Sequence, residues 1–319
     1  MDRFANWFLA VSIVVALIAG ANYLRPAWEL PGDRYLLIHA DDAGLCAAAN
    51  RATIAALERG AVTSASIMVP CPGFEDFAYF ARSNPQRDFG VHVTLTSEWD
   101  GVRWGPLTDP AIVPSLVNAD GTFWRSADEF AEHAIASEVE IEVRAQIRRA
   151  QEREIVLSHL DNHMNSLFRR PDLIELFVRI SLDEELPIRF GKSLPDGWDA
   201  VLPAAVVDAY YAQLKVLYLH RNPLADHIEA DNYQVRPGDK RAYLLHALRR
   251  LGPGVTELVV HCCDVDGGDW RPPDAAGRHA ETLTLTSPEF AAEIDTLGIN
   301  LIDWQDFRRM TRGSKRETW

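Results

Sequence analysis

An α/β fold, either a closed (β/α) barrel or a doubly wound sheet, is predicted by three observations on this 319-residue chain. Strand-like and helix-like segments alternate over about 280 residues. No internal repeat or low-complexity tract interrupts that alternation. Acidic and histidine residues stand at or just after the ends of several predicted strands, where α/β folds gather their chemistry.

In order, Arg34–His39 reads as a strand ending in an acidic pair, and Ala47–Arg59 as a helix closed by Gly60. Ser64–Val69 is a strand, Phe74–Arg82 a helix and Phe89–Thr96 a strand. A long helix spans about Glu138–Arg153, with a capping box of Ser137 and Glu140 and an apolar stripe of Val139, Val143, Ile147 and Ala150. Ile155–Leu160 is the next strand, Asp172–Leu182 a helix and Pro187–Phe190 a short strand. Ala204–Leu219 and Lys240–Leu251 are helical. Glu257–Cys262 is a strand, Pro288–Leu297 a helix and Ile299–Ile302 the last strand.

The N-terminus stands apart. Trp7–Ala21 is apolar apart from Ser12, follows Arg3, and ends in the small residues Ala19-Gly20-Ala21. It reads as a secretory signal peptide or, since Phe4–Leu24 would be about 32 Å long as a helix, as an uncleaved anchor. The expected layout is therefore residues 1–30 as export segment and linker, 31–312 as the α/β domain and 313–319 as a tail, with the domain outside the cytoplasm. The membrane is met only through the N-terminal segment.

Composition narrows function. Hydrophobic residues make up 47% and charged residues 24%, as in an ordinary globular protein. The net charge of −14, from 32 basic and 46 acidic residues, argues against nucleic-acid binding, which needs a basic surface. Of the four cysteines, Cys46 and Cys71 are conceivable disulfide partners, while the adjacent Cys262 and Cys263 are not partners for each other. Four buried free thiols are the equal alternative.

The chemistry begins at Asp41-Asp42, behind the apolar run Tyr35–Ile38. Two adjacent carboxylates at the end of a buried strand are costly unless something pairs with them, and a metal ion is the usual reason. Asp42, His92 and His163 make an Asp-His-His set suited to one divalent ion. Asp41 is then free to act as general base on a water polarised by that ion. His261, after Leu258-Val259-Val260, is the candidate general acid for a leaving amine. Each has a plainer reading: an Asp pair can cap a helix, and a lone His is commonly a satisfied core residue. The strand before His159 and His163 argues that only one of them binds metal, with Asp161 orienting a ligand histidine. His261 beside Cys262 and Cys263 fits no common thiolate zinc spacing.

At these residues the chain resembles the YdjC/ChbG-like carbohydrate deacetylases, also called the ChbG/HpnK family. Four ordered blocks carry the resemblance: Ala40-Asp41-Asp42-Ala43-Gly44, Gly60-Ala61-Val62-Thr63-Ser64, Gly90 to Thr96, and His159 to His163. The match runs over roughly residues 34–310. It implies a distorted (β/α) barrel of the polysaccharide-deacetylase type. It implies metal binding by Asp42, His92 and His163, with Mg²⁺ or Zn²⁺ as the ion, and Asp41 as base. It implies removal of acetyl from an N-acetylated sugar or oligosaccharide. His261 falls at the family's late strand-end histidine, and Arg189 at an arginine expected to contact substrate. Departures fall around the expected pocket: Met164-Asn165 stand where further histidines are common, Cys262 where a proline is, and Ala43 where an aromatic is. The segment Thr96–Trp99 with Arg103–Leu107 is aromatic-rich and offers Trp104 for stacking on a sugar ring, or simply for packing over the barrel mouth.

Two other classes compete. Two histidines and a carboxylate also form the facial triad of non-haem Fe(II) oxygenases, though those bring their ligands together on a β-scaffold. A catalytically silent carbohydrate-binding barrel would need neither Asp41 nor His261.

Overall fold

The computed structural model describes residues 32–195, 197–266 and 270–313. The expected export segment and the last six residues of the tail lie outside them. Seven parallel strands form the sheet: β1 (Arg34–Ala43), β2 (Ser64–Ile67), β3 (Asp88–Val93), β4 (Leu157–Asn162), β5 (His227–Glu229), β6 (Gly254–His261) and β7 (Asn300–Leu301). Their order is β4-β3-β2-β1-β6-β5, with β7 adding to the start of β1. Such strands are buried on both faces, which is why Leu36, Leu37 and Ile38 are all fully buried in β1.

Beyond β4 the hydrogen bonding continues through single bridges. Leu160 pairs with Ile188, and Gly191 pairs with Ala225 just ahead of β5. The path thus returns to β6 and β1, giving a distorted barrel with one wall thinned to bridges. Pro187–Phe190 is that wall, a single bridge where its sequence predicts a short strand; Pro187 has no N–H to give a ladder.

The helices are α1 (Ala47–Arg59), α2 (Phe74–Ser83), α3 (Ala127–His133), α4 (Ala136–Glu152), α5 (Pro171–Asp183), α6 (Trp198–Val201), α7 (Ala204–Leu219), α8 (Lys240–Arg250), α9 (Ala275–Leu285), α10 (Pro288–Thr296) and α11 (Trp304–Gly313). The stripe Val139, Val143, Ile147 and Ala150 of α4 is fully buried, as its spacing predicts. Its capping box does not form: the helix starts two residues earlier, with Ile135 at the cap, and Glu140 binds Arg144 and Arg179 instead. Among the described residues no helix is long and apolar enough to cross a membrane.

The main core lies between the sheet and its surrounding helices. A smaller cluster of Leu37, Val255, Ile302, Trp304 and Phe307 fills the N-terminal end of the barrel, with α11 as its plug. Leu37, His39 and Asp41 alternate onto one face of β1. Moving up the barrel, the interior therefore passes from apolar floor to polar middle to acidic mouth. All four cysteines are free and buried. The Cys46 thiol lies against that of Cys263 without a disulfide between them.

Candidate active site

Adjacent residues in a regular strand point to opposite faces. Asp41 and Asp42 nevertheless both line one cavity of about 390 Å³ above the strand ends. The register of β1 against β2 shifts between Ala40 and Ala43, and Asp42 takes a left-handed φ of 64°. This conformation costs a non-glycine residue about 1–2 kcal/mol. The bulge turns the second carboxylate into the same space as the first. Gly44 completes the turn at φ 84°, where a Cβ would lie 3.1 Å from Ile67 and 3.3 Å from the Met68 carbonyl. Its N–H donates to Asn50 Oδ1 (2.8 Å).

His92 closes β3 and His163 follows β4, where Met164 and Asn165 take left-handed φ values of 57° and 50° in the turn. Three atoms converge: Asp42 Oδ1 lies 3.3 Å from His92 Nε2 and 3.3 Å from His163 Nδ1, and the two nitrogens lie 3.3 Å apart. A four-coordinate ion with bonds of about 2.0–2.1 Å needs donors about 3.3 Å apart. Asp42 Oδ1 is buried and has no hydrogen-bond partner of good geometry. Each histidine turns its other nitrogen onto a carboxylate. His92 Nδ1 meets Asp161 Oδ1 at 2.7 Å, and His163 Nε2 meets Glu98 Oε1 at 2.6 Å. Carboxylate–histidine pairs of this kind fix tautomer and ring orientation at metal sites. The donor set therefore fits a single divalent cation.

The electrostatics agree. Burial pulls His163 down, but Glu98 and Asp42 outweigh it and lift it to about 9. His92, against the same penalty, is held well above its ordinary value by Asp161 and Asp41. The pocket favours positive charge at these nitrogens. Burial pushes Asp42 up, but Arg278 and the two histidines bring its carboxyl well below the usual range. Arg278, from α9, binds Asp42 Oδ2 at 2.6 Å and Asp274 at 2.7 Å.

Asp41 is not the unengaged carboxylate that sequence reasoning expects. Arg189 grips both its oxygens, at 2.9 and 2.6 Å. Burial raises Asp41, Arg189 pulls it down further, and it rests below its ordinary value. Each oxygen keeps a second lone pair free to accept a proton. Arg189 also reaches Asp161 (2.8 Å) and Glu257 (2.9 Å). Its guanidinium is thus a charge partner for three acids, and it also lines the cavity.

His261 ends β6 opposite Asp41 in register and lines the cavity. Burial, then Arg278, holds it below its ordinary value, so it is neutral at pH 7 and collects a proton before giving one up. His159 and Asp161 lie beneath the cavity. His159 stacks on Trp304 (4.8 Å, 10°) and does not approach the donor triangle. Gly90 makes room for it: a Cβ there would fall 2.4–2.7 Å from the His159 ring. Trp104 offers no face to a sugar. It is 3% exposed, its Nε1 donates to Thr96 O, and it sits behind Trp99. Trp99 lines the cavity instead, edge-on to His163 and beneath the Arg278 guanidinium.

Sequence reasoning missed Glu98, Arg278, His39 and Ser66. α4 fixes the loop bearing Glu98: Glu142 accepts the N–H groups of Leu107 and Thr108, both at 3.0 Å, and Gln146 brackets Thr94. Ser66 Oγ donates to Asp161 (2.8 Å), and His39 Nε2 lies 3.2 Å from the same carboxylate. Glu98 had a readable signal, an acid two residues beyond the histidine block, whereas Arg278 had none because α9 was not predicted.

An α/β barrel that gathers one carboxylate, two imidazoles and a further carboxylate at its strand ends has a donor set that could hold one metal ion. Comparison with known proteins narrows this. A family profile described as YdjC-like protein matches residues 35–296, and the chain belongs to that family. A carbohydrate deacetylase of Thermus thermophilus is 31% identical, over 82% of this chain and 89% of its own length. One from Geobacillus stearothermophilus is 27% identical, over 87% and 99% respectively. A crystal structure from Enterococcus faecalis, provisionally described as a cellobiose-phosphate cleavage protein, superposes with a TM-score of 0.70 at 25% identity, covering 86% of this chain and 99% of that one.

Proposed function

We propose that this chain is a metal-dependent hydrolase that removes the acetyl group from an N-acetylated amino sugar or oligosaccharide. The observation that carries the reading is the 3.3 Å triangle of Asp42, His92 and His163, with a carboxylate behind each histidine and Asp41 alongside. The deacetylase relatives supply the substrate class. A divalent cation on the triangle supplies charge that acidifies water and polarises a carbonyl. Asp41, ionised by Arg189, takes the proton of the attacking water. Arg189 steadies the carboxyl while it does so, and Asp161 and Glu98 hold the histidines in the ligating tautomers. His261 passes a proton to the departing nitrogen, so C–N cleavage yields acetate and a free amine. Trp99 offers an aromatic face for the sugar ring.

The test is acetate release from N-acetylated glycans and O-acetyl esters, using metal-stripped enzyme reloaded with Zn²⁺ or Mg²⁺. Acetate that appears only after reloading, without oxygen uptake, is expected. Oxygen consumption would instead favour the oxygenase reading, and sugar binding without acetate the silent barrel. His261→Ala should slow amides more than activated esters, because an amine must be protonated to leave. Equal slowing would reduce His261 to positioning. We also place the domain outside the cytoplasm on the strength of Trp7–Ala21. Fractionation that finds it soluble in the cytosol with its N-terminus intact would overturn that.

A further inference from the structure

The cavity has two unlike ends. Every charged side chain that lines it belongs to the inner end, around Asp41, Asp42 and the histidines. The other end lies beside the wall thinned to bridges at Ile188 and Gly191. There it is lined by Phe168, Phe190, Leu202, Val206, Tyr210 and Ile228. Phe190 and Tyr210 stack face to face at 4.1 Å, and Phe168 packs edge-on against both. The one hydroxyl in this wall is turned away: Tyr210 Oη donates to the Gly191 carbonyl (2.8 Å) and accepts from the Gly191 N–H (3.1 Å). Burial pushes the phenol well above its ordinary value although the Gly191 bond pulls the other way, so it stays un-ionised and the ring faces the cavity as hydrocarbon.

A sugar is a poor match for such a wall. Each hydroxyl buried there without a partner costs about 1–3 kcal/mol. An apolar chain gains about 0.8 kcal/mol for every methylene taken from water. The space is also of the size that small-molecule sites use for a head group plus a tail.

We infer that the substrate carries an apolar tail seated among Phe168, Phe190, Leu202, Val206, Tyr210 and Ile228 while its amide lies at the donor triangle. This rests on the amidohydrolase reading above. The tail has two chemical sources, an N-acyl chain longer than acetyl or an apolar aglycone on the sugar. The bond broken is the same in both. Water adds across the amide C–N bond, the acyl carbon leaves as a carboxylic acid and the nitrogen as an amine.

Two substrate series on metal-loaded enzyme separate the sources. One holds a methyl aglycone and lengthens the N-acyl group of glucosamine from acetyl to octanoyl. The other holds N-acetyl and lengthens the β-aglycone from methyl to octyl. In one series kcat/KM should rise about fourfold per methylene over the first few carbons. Leu202→Trp, which narrows the bay, should flatten that slope. Calorimetric binding of octyl against methyl β-glucoside reads the bay without turnover. An aglycone-holding bay should bind the octyl compound at least tenfold more tightly, and an acyl-holding bay should show the same preference for free octanoate over acetate. Flat slopes in both series, with acetate still released, sink the inference and leave the amidohydrolase standing. Chain-dependent binding with no cleavage of any amide keeps the bay and sinks the amidohydrolase. Flat binding and flat turnover together remove the bay.

Discussion

The mouth of the barrel and the layer beneath it use the same residue types on the same strands, yet they hold opposite charge states. His92 and Asp88 both lie on β3, and His163 stands four residues beyond His159 of β4. All four are buried. At the mouth, His92 and His163 are driven toward their charged forms and Asp42 toward its carboxylate. Below, burial pushes Asp88 up to about 6 although Ser64 pulls the other way, and burial, then His39, keeps His159 well under its ordinary value. The layer beneath is held by neutral groups: Ser64 and Ser158 hydroxyls on Asp88 at 2.5 and 3.0 Å, and Ser158 on His159 at 2.8 Å. Burial therefore does not decide ionisation here; the ionic partner does. Arg189 and Arg278 supply it above, whereas Asp88 and His159 face each other at 3.6 Å.

The comparison breaks hardest at Asp41. Asp41→Asn should leave the metal bound and lower kcat by about 10²–10⁴-fold, the usual worth of a general base. Metal analysis alongside the kinetics checks this; loss of the ion with the activity would make Asp41 a ligand and exchange the roles of the two aspartates.

Asp88 tests the lower layer. Its folded pKa of about 6 exceeds the ordinary 3.8, so the folded state binds a proton that the unfolded chain still lacks between those values. Its contribution is fully present below pH 3.8 and is lost as pH rises through 6. Asp88→Asn should abolish this dependence. The stability difference between wild type and variant should shift by about 2 kcal/mol between pH 7 and pH 4, with the wild type gaining on acidification. Urea titrations at the two pH values measure it, and parallel profiles would mean that Asp88 is ionised like its neighbours above.

Smaller effects sharpen the boundary. Glu98→Gln should weaken metal binding about 10–100-fold by loosening His163, as read by competition with a chromophoric chelator. His159→Phe, which keeps the stack on Trp304, should leave metal affinity unchanged. A shift comparable to that of Glu98→Gln would join the two layers into one site.

How much of this was legible follows the same division. β1, β3, β4 and β6 announce themselves as apolar runs, and α1 and α7 fall on the residues their patterns indicate. The residues brought together at the mouth stand at strand ends, where position along the chain translates directly into position in space. Arg278 did not, because α9 carries Gly277, Thr282 and Thr284, weak helix formers with no clean stripe. The capping box at Ser137 misled because packing of the Val139 stripe carried the helix back past a locally favourable cap. Trp99 rather than Trp104 lines the cavity, and sequence does not say which of two nearby indoles turns inward.

The left-handed backbone at Asp42 has a consequence for how such an enzyme changes over time. The placement of its two carboxylates is set by the main chain of a central strand, not by any loop. The apolar bay is set mostly elsewhere, by a bridged wall and the helices beside it. If the bay seats the substrate, chemistry and substrate choice are set largely on separate pieces of chain that meet at Arg189. Insertions or replacements around residues 192–203 can retune what is cleaved while the hydrolytic step stays intact, whereas a single deletion within Ala40–Gly44 would rotate one carboxylate out of the site and end catalysis for every substrate at once.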